Sequence, residues 1–280
     1  MPYAQVLTVA SKASTTGGTF ADSLTANSGD SLSVANFDSG GARVLEMWAV
    51  DDTSAAEFSF VWTRPEASHD QSRGIRQSIG GVQGPGAGKT QAFPLLTGAA
   101  TIKLFKSDTV TINVSSTASD NVMAAWVTEY DDLPGASAVF TSPDQLNALR
   151  KSTVGIRVSA VGSATRGAYG ATRAFNADDA RLHANTWYAL LGANSQLIVN
   201  TCALVGPDWG GQVIGFPLGY PQLSSSSWFL DQSIKWGKPL IPCFNSNNVG
   251  NILVKIADTS SSPSAQVDFL LYELTGAPGV

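Results

Sequence analysis

The stretch Gly84-Pro-Gly-Ala-Gly-Lys-Thr90 has nearly the spelling of a phosphate cradle. Such a loop, G-x-x-x-x-G-K-[ST], wraps a phosphate in backbone N–H groups and brings a lysine and a hydroxyl to the charge. The position where its first glycine belongs is Gln83, and Gly84 comes one residue late, so the ring of donors is short. The flanks disagree with it as well. A cradle lies between a buried strand and a helix N-terminus, whereas Gly74–Val82 is glycine-rich and half polar, and Pro94 and Gly98 interrupt any helix that follows. The stretch reads as a loop between strands.

Other groups with chemical potential are few. His69, in Ser68-His-Asp-Gln-Ser72, lies beside hydroxyls and a carboxylate, but neighbours in sequence point apart and a catalytic relay draws on separated segments. His183 leads into an apolar run. Asp51-Asp52 and Asp131-Asp132 lack the spaced pattern of a calcium loop and read as strand ends. Glu129 and Glu273 occupy matching places in the two halves of the chain, one each, which argues against a glycosidase pair across one sugar. Cys202 and Cys243 both fall in apolar runs and read as buried free thiols more readily than as a disulfide. Two cysteines and two distant histidines make a poor zinc set. The expectation is therefore a protein that is not an enzyme and has neither catalytic residues, nor metal, nor cofactor.

The elements that would position these groups are strands. Short β-rich runs separated by Gly, Ser, Asn and Pro clusters recur throughout. In the first half they are Gln5–Ala10, Ser31–Ala35, Val44–Val50, Glu57–Trp62, Thr101–Phe105, Thr109–Val114 and Val122–Tyr130. In the second half they are Gly155–Val161, Thr186–Leu191, Gln196–Ala203, Gln212–Phe216, Trp228–Ile234, Pro239–Phe244, Ile252–Ile256 and Val267–Leu274. One helix is expected, Ser142–Arg150, with Ser142 as N-cap, Pro143 in first position, and Leu146 and Leu149 on one face. Within Glu57–Trp62 the alternation puts Phe58, Phe60 and Trp62 on one side. The closing runs Met123–Val127 and Phe269–Tyr272 are apolar on both faces, as in a strand covered from both sides.

The central helix prompts a search for repetition, and the halves match in order. Met47-Trp-Ala-Val50 aligns with Trp187-Tyr-Ala-Leu190, Phe105–Val110 with Phe244–Val249, and Trp126–Tyr130 with Leu270–Leu274; Arg64-Pro65 against Gly206-Pro207 adds a weaker turn. The fold class is then all-β, two tandem antiparallel β-sandwiches from an internal duplication, each with the seven or eight strands that Greek-key connections need. The domains are 1–137, a connector 138–152 with the short helix, and 153–280.

Composition narrows the partners. The apolar share is 43%, but charged residues are only 14%, well under the usual quarter. A surface that is polar without being ionic suits a secreted chain or one covered by copies of itself, since charge is depleted in interface cores. The net charge of −5 and scattered Lys and Arg give no basic patch for nucleic acid. No transmembrane or signal segment is seen. Trp209, Tyr220, Trp228 and Trp236, in or beside turns, are candidate interface aromatics, with burial under the chain's own loops as the alternative.

Two tandem sandwiches carrying these repeat pairs resemble the double jelly-roll major capsid proteins of the adenovirus–tectivirus lineage, and the resemblance covers the whole chain. It implies two eight-stranded jelly rolls and a homotrimer that forms a pseudo-hexagonal capsomer. It also implies a self-assembling icosahedral shell assembled in host cytoplasm, with minor or vertex proteins and an underlying membrane as further partners. The Pro65–Ala100 excursion and Gly206–Ser227 would form outer towers or inter-subunit contacts, short ones for this lineage. A secreted tandem sandwich binding carbohydrate through surface Trp and Tyr is the alternative, and a glycan-active enzyme a third class.

Overall fold

The computed structural model describes residues 4–32, 42–51, 56–63, 75–79, 102–104, 108–130, 139–179, 181–195, 199–218, 225–259 and 261–279. The first half holds β1 (Ala4–Ala13), β2 (Gly18–Ser23), β3 (Thr25–Ala26), β4 (Ala42–Asp51), β5 (Ala56–Thr63), β6 (Ile75–Ile79), β7 (Ile102–Leu104), β8 (Thr109–Ser116) and β9 (Asn121–Tyr130). They form two antiparallel sheets, in the orders β3-β1-β9-β4-β7 and β2-β8-β5-β6. Alternation decides what lies between them. Val122, Ala124 and Trp126 of β9 and Met47 and Ala49 of β4 meet Phe58 and Phe60 of β5 and Val110, Ile112 and Val114 of β8. Phe60 and Trp126 touch edge to face, with ring centroids 6.0 Å apart.

After β10 (Phe140–Thr141) comes the expected helix, α1 (Pro143–Leu149). Ser142 caps it, its hydroxyl accepting the N–H of Gln145, and Leu146 is buried. The second half continues with β11 (Arg150–Val161), β12 (Arg173–Ala174), β13 (Trp187–Ser195), β14 (Thr201–Val205) and β15 (Val213–Pro217). Helix α2 (Trp228–Trp236), β16 (Ile241–Asn245), β17 (Leu253–Ala257) and β18 (Ser264–Leu274) complete it. The sheet orders are β10-β16-β13-β18-β11 and β12-β17-β14-β15. Between these sheets lie Phe175, Tyr188, Trp209, Phe216, Phe229, Phe244 and Phe269. The protein is all-β in its framework, built from antiparallel sheets.

Three expectations change. Trp228–Ile234 is a helix, not a strand: Phe229, Gln232 and Ser233 recur at helical spacing on its buried side, and Gly237 ends it at a φ of 62° that suits glycine. Part of the Pro65–Ala100 excursion is strand, because β6 pairs with β5 along the edge of the second sheet. There a half-polar sequence is tolerated, since one flank of an edge strand is unpaired. The stretch from Arg150, read as connector, is already β11. The run Ser31–Ala35 lies mostly outside the described residues, as do residues 64–74 and 80–101.

The two halves meet along a seam. Outward residues of β1, β4 and β9, namely Leu7, Val9, Trp48, Val50, Met123, Ala125 and Val127, pack on Ala203 and Ala257 of the second half, with Tyr169, Val213 and Trp228 alongside. Every residue of β9 is buried, because one of its faces lines the first core and the other lines this seam.

Candidate functional site

The candidate groups are dispersed. His69 and the Gly84–Thr90 loop lie outside the described residues, as do Asp52, Asp131-Asp132 and Tyr220. Asp51 ends β4, where its Oδ2 accepts the N–H of Ala56, the first residue of β5, at 2.8 Å. Cys202 and Cys243 are free and fully buried, and burial pushes both thiols far up, which leaves them unreactive. Among the described residues no group of three His, Cys, Asp or Glu is arranged to hold a metal.

Glu129 and Glu273 fall in different halves. Glu273, on β18, sits beneath the start of β11 and the lead-in to β13. Its Oε1 takes the Lys151 ammonium at 2.6 Å, its Oε2 takes the Ser152 hydroxyl at 2.7 Å, and the His183 ring approaches Oε1 at 3.3 Å. Lys151 and then Ser152 hold its carboxyl down at about 2. The carboxylate stands between hydroxyl and imidazole, so this set ties strands together instead of relaying a proton onto a nucleophile.

The interface aromatics separate. Trp209 is fully buried in the second core, where its ring N–H donates to the Cys243 carbonyl at 3.0 Å, so it is no surface anchor. It belongs to the burial alternative because the short turn Pro207–Trp209 folds the indole back under its own sheet. Trp228 meets Trp48 across the seam, ring centroids 5.9 Å apart. Trp236 is half buried, donating to Gln232 at 2.9 Å with the Lys235 ammonium 4.9 Å from its ring centre.

The seam is where the polar residues missed by sequence reasoning gather. A bulge places Leu45 as an extra residue between the pairs Val44↔Thr128 and Glu46↔Val127. It reverses the parity of β4, so Val44 faces the first core while Glu46, Trp48 and Val50 face the seam. Glu46 there meets Lys235 of α2, and Glu129 on the next strand meets Lys238 at 3.2 Å. Gln5 lies opposite Glu129 across β1 and β9, 1% exposed, with neither amide atom hydrogen-bonded. Burial raises the Glu46 carboxyl, the lysine partly offsetting it. Elsewhere along the seam Trp48 donates to the Thr201 hydroxyl at 3.1 Å, Asn27 to the Gly167 carbonyl at 2.8 Å, and Tyr169 to Asp30 at 2.8 Å. The bulge leaves no composition signal, and the partners are more than 100 residues apart, so only pairing register could have exposed them.

No family model matches the chain, and no curated protein matches it. Solved structures share faint likeness. One of N-glycanase F (PNGase F) is 9% identical, covers 98% of this chain and 96% of that one, and has a TM-score of 0.23. One of peptide-N(4)-(N-acetyl-β-D-glucosaminyl) asparagine amidase is 8% identical, covers 99% and 98%, and has a TM-score of 0.21. BuGH86 in complex with neoagarooctaose is 10% identical over 83% of this chain and 32% of that one, at 0.18. These neighbours correct one expectation: with an N-glycanase and an amidase matched along nearly the full chain, the statement that it is not an enzyme is not kept. TM-scores this low carry no activity over to it.

Proposed function

We propose that the chain is a structural building block: a double jelly-roll subunit, arisen by duplication, that self-assembles as a trimeric capsomer into the icosahedral shell of a virion. The strand orders support the duplication. Replacing β1, β2, β4, β5, β6, β7, β8 and β9 by β11, β12, β13, β14, β15, β16, β17 and β18 in turn converts both sheets of the first half into those of the second. Only β3 and β10 are left over, each on an outer edge.

The observation that carries the reading is the kind of contact the seam makes. The outward face of β1-β9-β4 packs against the outward face of β17-β14-β15, so corresponding halves join through unlike sheets. On the far sides lie the outward face of β2-β8-β5-β6 and, as its unlike counterpart, that of β11-β18-β13-β16. The latter is covered over β13 and β16 by α1 and α2, whose Leu146 and Leu230 pack on Ala189, Leu191, Ile241 and Cys243, so a neighbouring chain would meet these helices and the β11 edge. A contact between unlike faces does not close on itself, and repeated between copies it builds a ring or a filament. Three chains would then close a ring of six sandwiches. The leftover face of β8 offers Thr109, Thr111, Asn113 and Ser115, uncharged groups that are cheaper to desolvate than ions. Of the four candidate interface aromatics, Trp209 lies in the core and Trp228 packs at the seam, so neither serves as an anchor between chains.

Light scattering and electron microscopy of the purified protein test this. Trimers and closed shells are expected, and a monomer at every concentration and pH overturns it.

A further inference from the structure

One carboxylate of the first half is driven into the seam without a close cation. Asp30 follows the short strand β3, and its Oδ2 accepts both the Val9 N–H and the Tyr169 hydroxyl, each at 2.8 Å. A single oxygen thus ties β1 to the second half. Its other oxygen, Oδ1, is out of solvent and has no hydrogen-bond partner. Beside it lies a cavity of about 180 Å³ lined from both halves, by Leu7, Thr8, Asp30 and Tyr130 on one side and Gln212 and Val213 on the other.

The groups around Asp30 leave it alone in changing charge under mild acid. From the second half it faces Tyr169 and, beyond, Lys255, whose ammonium stands 3.7 Å from the centre of the Tyr169 ring and acts on Asp30 through space. Cys202 lies near Tyr169, and Tyr130 lines the cavity from the first half. Burial pushes Tyr130 up to about 12 and raises Tyr169 and Cys202 well above their ordinary values, so all three stay neutral. Lys255, lowered by desolvation from 10.5, keeps its charge under mild acid. Burial pushes Asp30 up to about 6 against an ordinary 3.8. Glu46, also raised by burial, has the Lys235 ammonium and Gln232 against it, with Glu129, Lys238 and Gln5 beside them.

We propose that protonation of Asp30 latches the seam, so that the two halves are held together more firmly in mild acid than at neutral pH. The neutral carboxyl keeps its carbonyl oxygen for Val9 and Tyr169 and places the proton on Oδ1, removing a buried charge that lacks full solvation. The direction follows from linkage. Between the ordinary value of 3.8 and about 6 the closed seam binds a proton that the opened chain does not, so the stabilisation is full in acid and is lost as pH rises through 6.

Hydrogen exchange at the Val9 amide of the full chain, corrected for its intrinsic pH dependence, is expected to quicken about tenfold from pH 5 to pH 7. In Asp30→Asn, whose side chain keeps an acceptor oxygen but no titrating proton, that difference should disappear. The same tenfold change in both proteins overturns the latch. Should the variant not fold, carbon-13 titration of the Asp30 carboxyl in the natural chain decides: a midpoint near 6 supports it and one near 3.8 overturns it.

Discussion

Glu273 and Asp30 are both carboxylates bridging segments distant in sequence, and their surroundings drive them in opposite directions. Glu273 gains a lysine, a hydroxyl and an imidazole, which together outweigh its burial, so its carboxyl falls to about 2. Asp30 gains two neutral donors, which do not outweigh burial, so it rises to about 6. The sign for Glu273 is therefore the reverse of the latch. Its contribution is present above the ordinary value of 4.5 and is lost as pH falls toward about 2. Acid unfolding followed by fluorescence should show a steep loss of stability in that window. Glu273→Gln should flatten it, and an unchanged profile would remove Glu273 from the account. Neither behaviour is legible locally: Glu273 needs Lys151 and Ser152, over 120 residues away, and Asp30 needs Tyr169, 139 residues away.

Among the elements, β9 and β15 show how close the halves come. The double-sided apolarity of Met123–Val127 is readable in sequence, and it does mark a strand covered on both faces. Which partner covers it was not readable, since any apolar surface would serve. On β15 the constraint is spatial: a Cβ on Gly215 would lie 2.5 Å from Cδ2 of Leu7 across the seam and 2.3 Å from the Cys202 carbonyl oxygen. Gly215→Ala should cost about 1–3 kcal/mol in denaturant unfolding, as overpacking does. The double change with Leu7→Ala should recover only the part owed to the seam, and full additivity of the two would argue against a direct contact. Helix α2 shows the converse error. Its aromatic, β-branched residues suggested strand, but a glycine in left-handed conformation and the burial of Phe229, Gln232 and Ser233 on one side made helix the better fit.

At the scale of the molecule, each half has its own core, yet the first half lacks a finished surface. Leu7, Val9, Trp48, Val50, Met123, Ala125 and Val127 would all face water without the second half. A patch of that kind is an association hazard. Residues 1–138 expressed alone should therefore aggregate or bind a hydrophobic dye, and co-expression with 139–280 should suppress this. A soluble first half that binds no dye would show that the seam is incidental. A junction of unlike faces also links the fold to the proposed assembly, because what joins the halves could join chains.

The sequence by itself determined the dominance of antiparallel strands, the cap and buried side of α1, and the free thiols. Those rest on local alternation, capping and spacing, which each segment carries whatever it later touches. Tertiary structure alone decided that unlike sheets form the seam, that the bulge at Leu45 turns Glu46 into it, and that Asp30 lies there without a close counter-charge. Burial, register and the distance to a compensating charge are properties of packed pairs, and no stretch of chain specifies them before its partner is in place.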